Sequence, residues 1–267
     1  MTELRVSLAQ YAPVSDVHEN LRALRALVGE AAAHGSDLIV FPEYSHTFSP
    51  GLGDAWAQGA EDFEGEFVQG LTEASLAHEG IMIVAGMLRR GQDGARPTNT
   101  VVAVSRGGVV AYADKIHLYD AFGATESQWI SPGSVTDPRI VECSGFRLGF
   151  LACYDLRFPE VARRLGDAGA DVLVVPAQWV PGDHKLHHWR TLLAARAIEN
   201  QTFVLAAGHP EPHGIGHSQV LDPLGEVVVE AAGSSTLIHA VLKGELLDST
   251  RSRNPMTSAR RFGVTAL

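Results

Sequence analysis

The chain has 267 residues, 45% of them hydrophobic and 19% charged, which is enough to bury a core and too apolar for a disordered chain. Its 31 acidic against 21 basic residues give a formal net charge of −10. That lacks the basic footprint of a nucleic-acid or anionic-membrane binder and leaves a small molecule, or a second copy of the chain, as the expected partner.

The N-terminus carries no basic region followed by an apolar leader, and no 18-residue apolar run occurs, so a cytoplasmic protein without membrane contact is expected. Two cysteines, Cys143 and Cys153, form neither a disulfide framework nor a zinc ligand set. From the N-terminus, "LRVSLAQ" reads as a strand. "HENLRALRALVGEAAAHG" reads as an amphipathic helix, with Leu21, Leu24, Leu27 and Val28 on one face and Gly35 past its end. "DLIVF" follows as a buried strand, then a helix over 64–79 and the strands "IMIVAGML", "NTVVAVS" and "VVAYA". The second half repeats the alternation: strand "RLGFLAC", a helix over 159–168 with Pro159 at its first position, strand "DVLVVP", a helix over 186–200, then "TFVLAAG", "SQVLD", "EVVVEA" and "STLIHAVL". Strands alternating with helices from end to end, with no low-complexity linker, predict one α/β domain over residues 1–267.

Two segments echo each other. "AHGSDLIVFPEYS" (33–45) and "DAGADVLVVPAQW" (167–179) share Gly-x-Asp, four apolar residues and Pro, which predicts two helix-then-strand units of similar design facing each other. Where the first ends in Pro42-Glu43, the second has Pro176-Ala177, so the strand end has no structural need for Glu43.

Three ionisable residues lie where strands give way to loops: Glu43, Lys115 and Cys153. Ligand sites in parallel-type sheets form at the carboxyl ends of strands, so the three can converge. A cysteine attacks as thiolate and, with a free pKa of about 8.5, needs a neighbouring base or cation at neutral pH. Glu43 can take the thiol proton, and Lys115 can stabilise the thiolate and an oxyanion. Taken singly, each also reads as something plainer: Cys153 as a small buried hydrophobe, Glu43 as a loop carboxylate, Lys115 as a solvated charge.

"VFPEY", "DKIHLYD" and "LACYDLRFPE", in that order, resemble the carbon-nitrogen hydrolase (nitrilase) superfamily, and most closely its Nit-type amidase branch of omega-amidases and deaminated-glutathione amidases. "HHWRTLLAARAIENQTFV" and "GHSQVLDPLGEVV" extend the resemblance over nearly the whole chain. It implies a four-layer α-β-β-α sandwich, a homodimer or higher homo-oligomer, and no metal or organic cofactor. It also implies Glu43 as general base, Lys115 as oxyanion stabiliser and Cys153 as the nucleophile of an acyl-thioester mechanism that releases ammonia. The backbone N–H of Tyr154 becomes a second oxyanion donor. Glu126 of "GATES" matches the family's second glutamate by its Glu-Ser pair only; it either positions the lysine or is a plain loop acid. The segment from Lys115 to Glu126 looks shorter than in Nit-type enzymes, which predicts a wider pocket.

Tyr154-Asp155 after the cysteine, where true nitrilases carry Trp-Glu, favours amides over nitriles. Asp155, Arg157 and Glu160 read as a charge network around the elbow, or Arg157 binds a substrate carboxylate bidentately; Trp179 either walls the pocket or packs. The expected reaction is hydrolysis of a small carboxylate-bearing linear amide. The alternatives are an N-carbamoyl amino-acid amidohydrolase, a nitrilase or a non-catalytic scaffold. "GDHKLHHW" reads as a solvated helix start, since no HExxH-type signature accompanies its histidines. His117 is expected to satisfy a local hydrogen bond. The C-terminal segment with Arg251, Arg253, Arg260 and Arg261 reads as a basic tail packing on another subunit or lying free.

Overall fold

The computed structural model describes residues 2–51, 53–136 and 138–266, leaving aside the side chain of Ala55. Strand β1 (Glu3–Gln10) leads into α1 (Val17–Ala33), whose start is capped by Asp16 accepting from the Glu19 N–H at 2.9 Å. Then follow β2 (Leu38–Val40), a short α2 (Asp54–Gln58), α3 (Glu66–Ala77), β3 (Met82–Arg89), β4 (Thr98–Ser105) and β5 (Gly108–Asp114). The second half runs through β6 (Ile140–Cys143), β7 (Phe146–Phe150), α4 (Pro159–Asp167), β8 (Val172–Ala177), α5 (Lys185–Asn200), β9 (Phe203–Gly208), β10 (Gln219–Leu221) and β11 (Val227–Glu230). It closes with β12 (Thr236–Lys243), α6 (Gly244–Arg253) and α7 (Met256–Ala259).

The strands form two six-stranded sheets, ordered β12-β1-β2-β3-β4-β5 and β11-β10-β9-β8-β7-β6. Each has a parallel core, β1-β2-β3 in one and β7-β8-β9 in the other, extended on both sides by antiparallel strands. The segment β7 to β11 thus repeats the order and direction of β1 to β5, and the echo read from the sequence extends to topology. Its Gly-x-Asp has a physical reason. Gly35 (φ 73°) and Gly169 (φ 90°) take the left-handed turn that ends each helix. Asp37 then accepts from the Arg5 N–H at 2.9 Å, and Asp171 from the Arg147 N–H at 3.1 Å, which sets each new strand against the preceding one.

Alternation along the central strands builds the layers. Leu38 and Val40 meet Leu148, Phe150, Val172 and Val174 between the sheets. Ile39 and Phe41 face outward onto Leu24 and Val28 of α1 and Phe67 and Leu71 of α3. Leu173 and Val175 face Leu165 of α4 and Trp189 and Leu193 of α5. The result is the expected four-layer α-β-β-α sandwich, with each fully buried Leu or Ile worth about 2 kcal/mol. Strand β6 escapes the sequence reading because its four residues are too few to show a period, and α6 and α7 because their exposed faces carry no apolar stripe.

Two of the C-terminal arginines depart from the free-tail expectation. Arg251 donates to Asp171 Oδ1 at 2.7 Å and to the Ala170 carbonyl at 3.0 Å, and Arg260 pairs with Asp167, so these two residues dock on their own chain, while Arg253 and Arg261 are exposed. Among the described residues no helix is long and apolar enough to cross a membrane.

Candidate active site

Glu43 follows β2, where the chain turns along β3. The Phe41 N–H donates to Val84 O at 2.7 Å, Gly86 N–H to Pro42 O at 3.1 Å and His46 N–H to Gly86 O at 3.1 Å. This close approach needs glycine, because a Cβ on Gly86 would sit 2.6 Å from Glu43 Cα. Lys115 follows β5 and is held by its N–H to Asn99 O at 2.8 Å. Cys153 follows β7 and opens a 3-10 turn, Cys153–Arg157, with φ at 41°, a left-handed conformation that a non-glycine residue holds at a cost of order 1 kcal/mol. Asp155 ties this turn to the lysine segment by accepting from the His117 N–H at 2.9 Å and from His117 Nδ1 at 2.8 Å. His117 also stacks on Phe158, so it serves a local bond, as expected.

The four residues meet at one buried point, with Glu43, Lys115 and Glu126 each 2% exposed and Cys153 7%. Lys115 Nζ lies 2.9 Å from Glu43 Oε1, and 3.0 and 2.9 Å from the two oxygens of Glu126. Burial alone would discharge the ammonium, but the charges of Glu126 and Glu43 outweigh it and hold the Lys115 pKa well above the ordinary lysine value. Burial likewise works to neutralise Glu126. Lys115, the Tyr44 hydroxyl and the Tyr119 N–H prevail and keep that carboxylate below its ordinary value. Cys153 goes the other way: burial, then the negative charge of Glu43, raise its pKa well above that of a free thiol, and Lys115 only partly opposes them. At rest the nucleophile is therefore a thiol, not a thiolate.

Glu43 is further fixed by Asn99, whose amide donates to Oε1 at 2.6 Å, and by the Gln178 N–H, which donates to Oε2 at 2.7 Å. Gln178 follows Ala177, the echo position of Glu43: one unit supplies the carboxylate and the other a backbone donor. His209 Nε2 lies 2.6 Å from the Glu43 carbonyl oxygen, and burial lowers the His209 pKa to about 4, so the ring is neutral and donates there. The N–H of Tyr154, in the first turn after the nucleophile, is a donor that its own helical turn leaves unpaired.

Beside Cys153 a small, partly open pocket is lined by Tyr119, Tyr154, Arg157, Gln178, Trp179 and Lys185. Arg157 takes no part in a charge network with Asp155 or Glu160. Its guanidinium lies 4.9 Å from the Trp179 ring, and its Nε is buried without a partner. Trp179 fills both roles foreseen for it, since it lines the pocket and also packs on Trp189 at 5.3 Å and donates to the Lys185 carbonyl. The segment between Lys115 and Glu126 reaches the pocket wall: the Tyr119 hydroxyl accepts from Lys185 Nζ at 2.8 Å, and the Phe122 ring centre lies 4.2 Å from the same nitrogen. Lys185, in the stretch read as a solvated helix start, is 5% exposed, and burial followed by Arg157's charge lowers its pKa. Among the described residues neither cation has a carboxylate partner.

Residues 5–252 match the carbon-nitrogen hydrolase family model. The chain belongs to the carbon-nitrogen hydrolase family. It is 35% identical over 262 residues to the deaminated glutathione amidase of Escherichia coli O157:H7, covering 98% of this chain and 99% of that one. The fold superposes with a TM-score of 0.87 and 29% identity, over the whole of both chains, on a CN-hydrolase superfamily protein of Xanthomonas campestris that carries an arsenic adduct in its active site. A branch 10 nitrilase-superfamily protein of Saccharomyces cerevisiae gives a TM-score of 0.84 at 26% identity, covering 98% of this chain and 97% of that one.

In this carbon-nitrogen hydrolase several site residues lie outside the motifs that revealed the family. Asn99 carried one readable signal, a lone amide inside an otherwise apolar and β-branched strand. Lys185 and His209 carried none, because each reaches the site from a segment distant in sequence; Tyr44 and Tyr119 stand inside "VFPEY" and "DKIHLYD", where nothing local shows that they donate to Glu126.

Proposed function

We propose that the chain acts as a single catalytic domain, a thiol-dependent amidase that cleaves the C–N bond of a carboxylate-bearing linear amide such as deaminated glutathione. The observation that carries this is the convergence of Glu43, Lys115, Glu126 and Cys153 beside two cations, buried Lys185 and half-buried Arg157, that have no carboxylate partner among the described residues. The E. coli relative's name supports the same substrate class.

In this reading Cys153 Sγ attacks the amide carbonyl carbon as its proton passes to the Glu43 carboxylate. Protonated Glu43 loosens its hold on Lys115, whose freed N–H turns to the oxyanion together with the Tyr154 N–H. Glu126 keeps its charge and keeps the ammonium in place. The C–N bond then breaks as Glu43 returns the proton to the departing nitrogen. The product is ammonia from a primary amide and an amine from a substituted one, and it leaves an acyl-thioester. Glu43 next takes a proton from water, whose oxygen attacks the thioester carbon. Collapse of that intermediate releases the acid and restores the thiol with the proton from Glu43. Arg157 and Lys185 hold the substrate carboxylate.

Hydrolysis of deaminated glutathione and 2-oxoglutaramate by the wild-type chain, compared with Cys153→Ala at equal folded concentration, tests the proposal. Turnover reduced to background in the variant supports it. Undiminished turnover in the variant, or silence on both amides, overturns it.

A further inference from the structure

The reaction as written gives Tyr44 no part, although it follows the general base directly. It is 3% exposed and stands apart from the residues that line the pocket. Its φ of 58° is left-handed, a conformation that an aromatic residue holds only where its surroundings impose it. The ring is clamped edge-on by Trp56 of α2, with ring centres 5.1 Å apart, in an apolar cluster with Leu88 of β3 and Ile130 from the segment after Glu126. Neighbours in the chain, Glu43 and Tyr44 therefore both reach the same buried point, where the Tyr44 hydroxyl donates to Glu126 Oε1.

That oxygen shares its other donors with Glu43. Lys115 Nζ lies 2.9 Å from Glu43 Oε1 and 3.0 Å from Glu126 Oε1, and the Asn99 amide lies 2.6 and 3.3 Å from the same two oxygens. The two carboxylates are thus one ammonium apart. A proton that reaches Glu43 from the thiol has a side path, because Lys115 can take it while passing one of its own to Glu126, and the departing nitrogen then lacks it. A carboxylate oxygen offers about two lone-pair sites. Glu126 Oε1 has three donors, and Oε2 has Lys115 and the Tyr119 N–H, which leaves no site for that proton. Among the described side-chain donors only the Tyr44 hydroxyl serves Glu126 and not Glu43. Burial, then the charges of Glu126 and Glu43, hold the Tyr44 pKa well above the ordinary phenol value, so the hydroxyl stays a donor. The other titratable groups facing Glu126 are Lys115, Glu43 and Cys153. On the outer side of its turn Asp120 accepts from the Ser127 N–H at 2.9 Å and Arg96 donates to the Ser127 carbonyl at 2.6 Å.

Building on the amidase reading above, we propose that Tyr44 is a positioning residue that reserves the thiol proton for the departing nitrogen, by closing Glu126 to it and so leaving it on Glu43. In this sequence the S–H bond of Cys153 breaks as an O–H bond forms on Glu43, and that O–H breaks as an N–H bond forms on the departing nitrogen. Glu126 neither gains nor loses a proton throughout.

Tyr44→Phe keeps the packed ring and removes the hydroxyl. The pH dependence of kcat and KM is measured for the wild-type chain and the variant on whichever of the two amides is turned over faster. The inference expects kcat at neutral pH to fall about tenfold with KM within about twofold, and the acid limb of kcat to move up by about one pH unit as Glu126 becomes open to protonation. An unchanged kcat, or a uniform fall with the limb unmoved, overturns it. A second measurement needs no substrate. The folded pKa of Glu126 lies below its unfolded value, so its stabilisation is present at neutral pH and lost in acid, and the share owed to the Tyr44 hydroxyl follows it. The stability gap between wild type and Tyr44→Phe, from urea denaturation, should be wider at pH 7 than at pH 4.5, and should not vary with pH in a Glu126→Gln background. A gap that is equal at both pH values in the wild-type background overturns the role given to Tyr44. If the wild-type chain turns over neither amide, the amidase reading falls, and the denaturation result still decides whether Tyr44 holds Glu126 charged.

Discussion

The two buried glutamates are chemically alike and are given different work by their donors. Glu126 accepts from Lys115, Tyr44, Asn99 and the Tyr119 N–H, and a carboxylate so surrounded resists protonation. Glu43 accepts from Lys115, Asn99 and the Gln178 N–H and adjoins the thiol, which leaves it the one placed to exchange a proton with Cys153. His209 fixes Glu43 from behind at a cost that depends on pH. Its folded pKa of about 4 lies below the unfolded value of about 6.5, so the unfolded chain binds the extra proton. The contribution is complete above about pH 6.5 and is lost as pH falls toward 4. Between pH 7 and pH 5 this one residue is expected to remove about 2 kcal/mol of stability. Urea denaturation at the two pH values measures the loss, which should shrink in His209→Gln; an equal loss in the variant would assign the acid sensitivity to other groups.

At the scale of elements, the site depends on how closely strands and the turns after them approach. Gly86 of β3 and Gly149 of β7 make an instructive pair. A Cβ on Gly86 meets backbone, Glu43 Cα and Tyr44 N at 2.6 Å, whereas a Cβ on Gly149 meets the Leu165 side chain at 2.8 Å, which can turn aside. Gly86→Ala should displace Glu43 and reduce kcat by about 100-fold, the scale for an ångström of misplacement, with an overpacking cost of about 1–3 kcal/mol. Gly149→Ala should lower the Tm with far less effect on kcat. Similar kcat values in the two variants would show that the Glu43 turn is more yielding than its geometry implies. The elbow and the lysine segment are joined in the same spirit by Asp155, so the nucleophile and the ammonium are placed by one carboxylate spanning two loops.

For the whole molecule, one face is left without cover. Ile198 on α5, Leu224 in the turn after β10, and Val227 and Val228 on the edge strand β11 are each about half exposed, and Ile198 adjoins that turn at Gly225. Half-exposed apolar side chains beside an uncovered sheet edge are costly in water, and a second copy of the chain could cover them. We expect a homodimer or larger assembly by light scattering, shifted toward monomer by Ile198→Asp; a monomeric wild type at high concentration would refute this. What the sequence by itself determined was the alternation of strands and helices, the two echoing units, and three ionisable residues at strand ends, Glu43, Lys115 and Cys153; Glu126 followed only from the family resemblance. Each of these lies in a short run of neighbours whose order carries the information. Tertiary structure alone decided the rest. Gln178 reaches Glu43 across 135 positions and His209 across 166, distances over which a single chain shows no pattern. Likewise, Arg157 lines the pocket, Lys185 is buried beside it, and Arg251 and Arg260 pair with their own chain, because packing two sheets face to face decides which charges find partners.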